Sequence, residues 1–459
     1  MVGALEYPLI RSMARKDWEQ TKALNKLLSR YYRNCGIVAT IAGVIFIPFV
    51  PMLFSKEQQI SNLMPIYFIF LIGMVIGYLF RGKIFMLYAD QRSYIVTSIQ
   101  AVQNIVSSIA KVVVLVLTAS PLLYILTSSI IGLTFHIFLF FVARRIYRFI
   151  DSHEDVEIEP EFKDRIKKNA FAGVLNSVSA TLINGTDSFF IMWFANLSTV
   201  GLLSNYTMVI TQVNVLIASV TNSIATNIGH LVNTESKQKQ FEIFKNFFFL
   251  SFCGILIMSV GIFSCINDFL RVWIGQQYIL PGVFIVIIIT QNVFGGLAGV
   301  IYPFATGAGR QWELKWIGII YGITNVAISL LLLIVFKMGL LGVLLANLIS
   351  FVIGNAFIGP RRAFNLVFNM SYKVYLRLIM KYFTIVMFAS GAAYILCQFV
   401  DLFIIDLLLI LIIHIIIALL VSFCVIVCFK NTAEFKYIAS IVKKTLKWGS
   451  NKIRFRNTL

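Results

Sequence analysis

Charge is what this 459-residue chain has least of: only 13% of its residues are Asp, Glu, Lys or Arg, against 59% in the hydrophobic set. An ordinary soluble domain carries about 25% charge, so a water-soluble enzyme, a disordered chain and a coiled coil are all excluded. Proline is sparse, at nine residues, and cysteine numbers six. Cys35, Cys253, Cys265, Cys397, Cys424 and Cys428 sit in or beside apolar stretches without metal-ligand spacing. They read as small hydrophobes. There is no P-loop, no metal cluster and no nucleophile–base pairing, so the sequence points away from an enzyme and asks for no cofactor or metal. Residues 1–34 are basic and amphipathic, with neither the apolar core nor the small-residue cleavage site of a signal peptide.

The chain is rich in long apolar runs, and its mean hydropathy is +0.86. A helix crosses the hydrocarbon core with about 20 such residues. Twelve stretches qualify: 35–54, 63–80, 93–118, 122–143, 170–195, 201–228, 245–265, 280–305, 315–336, 339–358, 381–400 and 405–429. The fold class expected is therefore all-α, a polytopic membrane protein of about 12 transmembrane helices.

The 39 Lys and Arg against 20 Asp and Glu give a net charge of +19, and their placement tests that span count. With the N-terminus inside, the outer connections hold only Lys56, Arg271 and Lys337, and Lys111 alone lies well within a span. Every other cation falls on an inner segment. Losing one span would invert all later loops, so the asymmetry supports both the count and an orientation with both termini cytoplasmic. The same distribution disposes of nucleic acid as a partner: the cations line membrane edges, where anionic headgroups are the natural contact. Glu154, Asp155, Glu157, Glu159 and Glu161 form a small acidic patch that reads as a solvated linker.

A weak internal repeat adds organisation. Asn222-Ser-Ile-Ala-Thr-Asn-Ile-Gly-His230 leads through a polar loop and an amphipathic run from Phe241 into the seventh span. Gly3-Ala-Leu-Glu-Tyr-Pro-Leu-Ile-Arg11 leads similarly into the first. Repeats of this kind are common in transporters, whose halves move around a midplane site. The alignment predicts an N-terminal lobe at 1–150 with four spans, a cytoplasmic linker at 151–169 and a C-terminal lobe at 170–360 with six spans. An appended helix pair and basic tail complete the chain at 361–459. Spans five and six then have no counterpart at the front, as though a first hairpin were absent.

Short motifs carry a family resemblance. Asn184-Gly-Thr-Asp187 precedes an apolar run, Val200-Gly201-Leu-Leu-Ser204-Asn205-Tyr206 opens the sixth span, and Leu270-Arg271-Val-Trp273-Ile-Gly275 comes after the seventh. Ala305-Thr-Gly307-Ala-Gly309-Arg310 and Gly339-Leu-Leu-Gly342 mark two later turns. Together they resemble the polysaccharide transporter family of the MOP (multidrug/oligosaccharidyl-lipid/polysaccharide) flippase superfamily, chiefly its O-antigen and capsule repeat-unit flippases. The resemblance implies a MATE-like two-lobed bundle, here lacking the first hairpin, in the bacterial cytoplasmic membrane. It implies as substrate an oligosaccharide repeat unit on a polyprenyl pyrophosphate, turned to the outer leaflet for surface polysaccharide biosynthesis, with membrane lipids and a coupling ion as further partners. A multidrug or cation antiporter of the same superfamily is the alternative. A membrane-embedded glycosyltransferase or polymerase, or a non-transporting partner subunit, stands further off.

A flippase must shield a polar headgroup from hydrocarbon, so polar residues at membrane depth are the site candidates. Asp187 is the sharpest, and helical spacing brings Asn176 and Asn184 near its face. In the sixth span Asn205, Gln212 and Ser219 recur every seven residues, extended by Ser223 and Thr226. Such stripes wall a wet cavity or hydrogen-bond between helices. Lys111 either pairs with Asp187, snorkels to the outer surface or meets a pyrophosphate. Gln100, Gln103 and Asn104 precede it on a polar path, and Arg81 and Lys83 stand at the inner mouth. His136 and His414, alone in apolar helices, read as satisfied core positions.

Overall fold

The computed structural model describes residues 9, 12–13, 16–51, 62–90, 92–148, 185–194, 196–308, 314, 316–403 and 406–440. Among them there is no strand, and eleven helices are long and apolar enough to cross a membrane. Of the expected fifth span, 170–195, the described part is 185–194. The chain divides into two compact units, Met1–Val174 and Leu175–Leu459.

The first unit contains α1 (Trp18–Phe46), α2 (Leu63–Ala89), α3 (Ser93–Thr118) and α4 (Pro121–Ile146). Helix α1 extends on the N-terminal side of the expected first span, 35–54. Asp17 caps a helix already running at Trp18, its carboxylate accepting from the Gln20 N–H at 3.0 Å, and nothing between there and Phe46 breaks it. Ser120 caps α4 with Pro121 in its first turn, the position where a missing N–H costs nothing. Helix α1 packs on α2, and α4 on both α2 and α3. Their shared core gathers at one end: Leu24, Leu28 and Tyr32 of α1, Ile84 to Leu87 of α2, Val96 of α3, and Leu139 and Ala143 of α4. Just beyond, Tyr147 donates to Asp90 at 2.8 Å, and Arg92 pairs with the same carboxylate at 2.8 Å.

The described part of the second unit opens with helical residues 185–194 (α5), then α6 (Leu197–Thr234), α7 (Lys237–Ile274), α8 (Gly282–Gly299) and the short α9 (Tyr302–Gly307). Helices α10 (Trp316–Leu330) and α11 (Gly339–Phe351) each continue into a π-helical run, Leu331–Val335 and Val352–Ile358. Then come α12 (Gly359–Phe368), α13 (Tyr372–Asp401) and α14 (Leu407–Cys428). Helix α7 is the hub, packed against α6, α8, α13 and α14. The helix pair expected within 361–459 is α13 and α14, and both lie along this hub.

The core of the second unit is aromatic. Phe244, Phe248, Phe249 and Phe252 ladder up α7 at helical spacing and meet Phe304, Phe364, Phe368, Tyr375 and Tyr382. Phe364 stacks on Tyr375 at 5.2 Å, and Phe252 lies 4.4 Å from Tyr382. Tyr375 is fully buried, yet its hydroxyl donates to the carbonyls of Leu297 and Ala298 where α8 ends. Helix α7 stops at Gly275, whose φ of +107° lies in the left-handed region that a side chain resists.

Candidate functional site

Four asparagines and one aspartate, each from a different helix, meet inside the second unit. Asp187 lies in α5. Asn347 of α11 donates to its Oδ2 at 2.7 Å, and Asn325 of α10 donates in turn to Asn347 Oδ1. Across the same cavity Asn214 of α6 donates to Asn292 of α8 at 3.1 Å, while Asn292 donates back to the Ile288 carbonyl at 2.8 Å. Gln291, Ser188, Ser204, Thr207 and Tyr321 complete the polar lining of a cavity of about 640 Å³.

Small residues make the room. A side chain at Gly295 would strike the Phe351 ring at 2.9 Å, and one at Gly296 would strike Ile255 at 2.7 Å. The pair therefore lets α8 pass close between α7 and α11 while its Gln291–Asn292 edge turns to the cavity.

The chain of hydrogen bonds leaves acceptors over. Among the described residues Asp187 Oδ1 and Asn325 Oδ1 are buried without a hydrogen-bond partner, as are the hydroxyls of Ser329 and Ser350. A buried acceptor left unmatched costs on the order of 1–3 kcal/mol. A carboxylate oxygen and an amide oxygen in that state suit a cation, a proton or a hydroxyl-bearing ligand. No group of three or more His, Cys, Asp or Glu that could hold a metal ion occurs among the described residues.

Of the residues picked out from sequence, Asp187 lines the cavity. Asn205 and Gln212 do not: α6 presents Val200, Leu203, Ser204, Thr207 and Asn214 instead. The polar heptad on the cavity is thus Thr207–Asn214. Asn205–Gln212 is displaced around the helix by two residues, about 200°, with Asn205 half-buried and Gln212 exposed. Asn176 and Asn184 lie outside the described residues, as do the side chains of Ser219, Ser223 and Thr226.

The remaining candidates belong to the first unit. Lys111 sets its ammonium over the Tyr124 ring at 5.4 Å, a cation–π contact between α3 and the start of α4. Gln103 is half-buried beside Gly132 of α4, and Arg81 is exposed on α2. His136 bonds to the Gly132 carbonyl at 2.8 Å. His414 is buried in the second unit, its Nδ1 2.9 Å from Asp268 and its Nε2 3.2 Å from the Cys397 carbonyl.

Asn325, Asn347, Gln291, Asn292 and Asn214 escaped the sequence reading. Their signal was the same one that marked Asp187: a polar group in an otherwise apolar span. Only three-dimensional proximity ranks them, since Asn347 is 160 residues from the carboxylate it holds.

No family profile matches this sequence. No curated protein matches it either. Solved structures do. The lipid II flippase MurJ in its inward closed conformation superposes with a TM-score of 0.61 at 14% identity, covering 94% of this chain and 89% of that one. An inward-facing multidrug resistance MATE family transporter of the MOP superfamily gives 0.56 at 13%, covering 79% and 86%. A MOP superfamily transporter from Pyrococcus furiosus gives 0.52 at 13%, covering 80% and 84%. The chain is a multi-pass membrane protein with the MATE-like fold of the MOP transporters.

Proposed function

We propose that the protein is a flippase for a polyprenyl-pyrophosphate-linked oligosaccharide repeat unit, acting in surface polysaccharide biosynthesis at the bacterial cytoplasmic membrane with both termini cytoplasmic. The observation that carries the reading is the cavity around Asp187, set in a fold that matches a lipid II flippase along nearly its whole length. Its wall is rich in neutral amides and hydroxyls, from Asn214, Gln291, Asn292, Asn347, Ser204 and Thr207. Such a wall offers donors and acceptors to the hydroxyls of a sugar without demanding a charge. The positive-inside distribution of Lys and Arg supports the orientation.

Asp187 is the coupling residue of this proposal. Its unpartnered Oδ1 binds a proton or a small cation. Occupancy of that oxygen then sets how tightly Asn347 and Asn325 tie α5, α10 and α11 together, so ion binding biases the arrangement of the cavity wall. The second reading, a multidrug or cation antiporter, draws equal support from the fold, because MATE transporters match it as well.

Proteoliposomes separate the two. The flippase reading predicts accelerated exposure of a lipid-linked oligosaccharide to an external modifying enzyme, and no efflux of organic cations. Asp187→Asn is expected to slow translocation at least tenfold, a barrier increase of about 1.4 kcal/mol, and to abolish its response to an imposed ion gradient. Unchanged, gradient-dependent translocation in that variant removes Asp187 from the mechanism. Cation efflux without lipid translocation selects the antiporter.

A further inference from the structure

A second polar cavity lies in the same unit, at the junction where α11 and its π-helical extension pass through α12 into α13. It has a volume of about 920 Å³ and is lined by three cations, Arg361, Arg362 and Lys373, with no Asp or Glu among the described residues. None of the three is ion-paired among the described residues.

The local fold explains why they converge. Helix α12 is amphipathic. Ala363, Phe364, Val367 and Phe368 are buried, with Phe364 and Phe368 against Phe241 and Phe244 of α7, which leaves Arg361 and Arg362 exposed on the other side. Its carboxyl end is held down by Lys237, whose ammonium donates to the Val367 carbonyl at 2.6 Å. Asn369 then takes a left-handed conformation, φ 55°, and its N–H returns to the Asn365 carbonyl at 3.0 Å. That tight turn folds the chain back at once, so Lys373, in the first turn of α13, returns to the cleft that Arg361 and Arg362 of α12 line. The 30-residue α13 starts there, and Ser371 at its N-cap makes no side-chain hydrogen bond. The first-turn N–H groups and the helix dipole add to the positive field.

The setting is apolar on one flank. Phe357, Ile358 and Met370 line the same cleft and expose 46%, 38% and 40% of their surfaces. Because the turn at 369–371 joins two membrane-spanning helices, the cleft stands at a membrane edge. Cations beside apolar side chains at that depth match a phosphodiester whose acyl chains continue into the bilayer.

We infer that this cleft is a retained binding site for the phosphodiester headgroup of an anionic phospholipid, held by Arg361, Arg362 and Lys373. The lipid bridges α12 to α13 and stands apart from the cavity around Asp187.

The test uses the full-length protein in phosphatidylcholine nanodiscs with and without phosphatidylglycerol, with native mass spectrometry of the released complexes as readout. Each cation near an anionic surface contributes roughly a fivefold preference. Removing all three in R361Q/R362Q/K373Q is therefore expected to lower phosphatidylglycerol retention by on the order of a hundredfold. The control is R144Q/R145Q/R148Q, which neutralises another basic cavity in the first unit; it is expected to leave tightly retained phosphatidylglycerol unchanged. An equal loss in both variants overturns the site, since it would mean only net charge is read. Inorganic phosphate and pyrophosphate supply the third arm. Displacement of the lipid by either at sub-millimolar concentration assigns the cleft to free phosphate and overturns the lipid reading. Because a misfolded variant would also lose lipid, R362Q alone is assayed in parallel, with the expected loss near fivefold; retention equal to the parent chain contradicts the proposal.

Discussion

The two units of this molecule solve membrane packing in different ways. In the first, α2 and α3 bury little beyond their share of a core confined to one end of the bundle. In the second, most of the apolar length of α7 and α8 is buried, and aromatic rings fill the space around them. Lipid is as apolar as leucine, so burial alone drives neither arrangement. The second unit coheres through ring-on-ring shape and through buried polar pairs; the described part of the first depends on a small cluster and on tyrosine hydrogen bonds, Tyr67 to the Gly43 carbonyl and Tyr147 to Asp90. Only a tightly set scaffold can hold polar side chains from five helices within hydrogen-bonding reach, and the polar cavity is found in the unit that has one.

The contrast can be broken by mutation. Phe244→Ala should destabilise the second unit by on the order of 3–5 kcal/mol, because that ring touches Phe248, Phe304, Phe364, Phe368 and Tyr375. Thermal unfolding in detergent reads this directly; a loss no greater than that of a lipid-facing Phe388→Ala would show that the aromatic ladder is not what holds α7. Next in size is Asp268→Ala. That carboxylate accepts from Arg271 at 3.2 Å and sits 2.9 Å from His414 Nδ1, fastening α14 to α7. Removing it strands both partners at a cost of about 3 kcal/mol, expected to appear as earlier unfolding and faster proteolysis of the α13–α14 pair.

In the first unit the corresponding test is smaller. Tyr147→Phe deletes the hydrogen bond to Asp90, worth about 1.5–3 kcal/mol for a charged acceptor. Burial, and then the Asp90 carboxylate, hold the Tyr147 phenol's pKa above its ordinary value. The folded-state pKa being raised, the stabilisation is complete below the unfolded tyrosine value of about 10 and is lost as pH climbs beyond it. The gap in melting temperature between the parent chain and Tyr147→Phe should accordingly hold steady from neutral pH upward and close only in strong alkali. A gap that closes near neutrality would contradict the assignment of the phenol as donor.

Much of the fold was legible as a sequence. The third span, expected at 93–118, coincides with Ser93–Thr118, because Thr118 is succeeded by a left-handed Ala119 and a proline-started helix. Hydropathy found apolar stretches but not helix ends: α1 and α7 start well before their apolar parts, at Trp18 and Lys237, since polar amphipathic turns continue a helix as readily as greasy ones. Asp187 was legible because a carboxylate at membrane depth is costly on its own. Its partners were not, as one amide among apolar residues says nothing about which distant amide it will meet. The heptad of Asn205 and Gln212 shows the limit of periodicity: it identifies a polar stripe, while packing of α6 on α7 and α9 decides which stripe reaches the cavity. His414 likewise gave no hint of Asp268, which lies 146 residues away.

The central claim is that α6 presents Ser204, Thr207 and Asn214 to the polar cavity beside Asp187. In a chain whose six cysteines are replaced by serine, single cysteines at Ser204, Asn214 and the outward-facing Leu216 can be challenged with a membrane-impermeant maleimide. The account predicts rapid labelling at 204 and 214, protection of both by excess substrate, and no labelling at 216. Inert cysteines at 204 and 214, or a reactive one at 216, would contradict it.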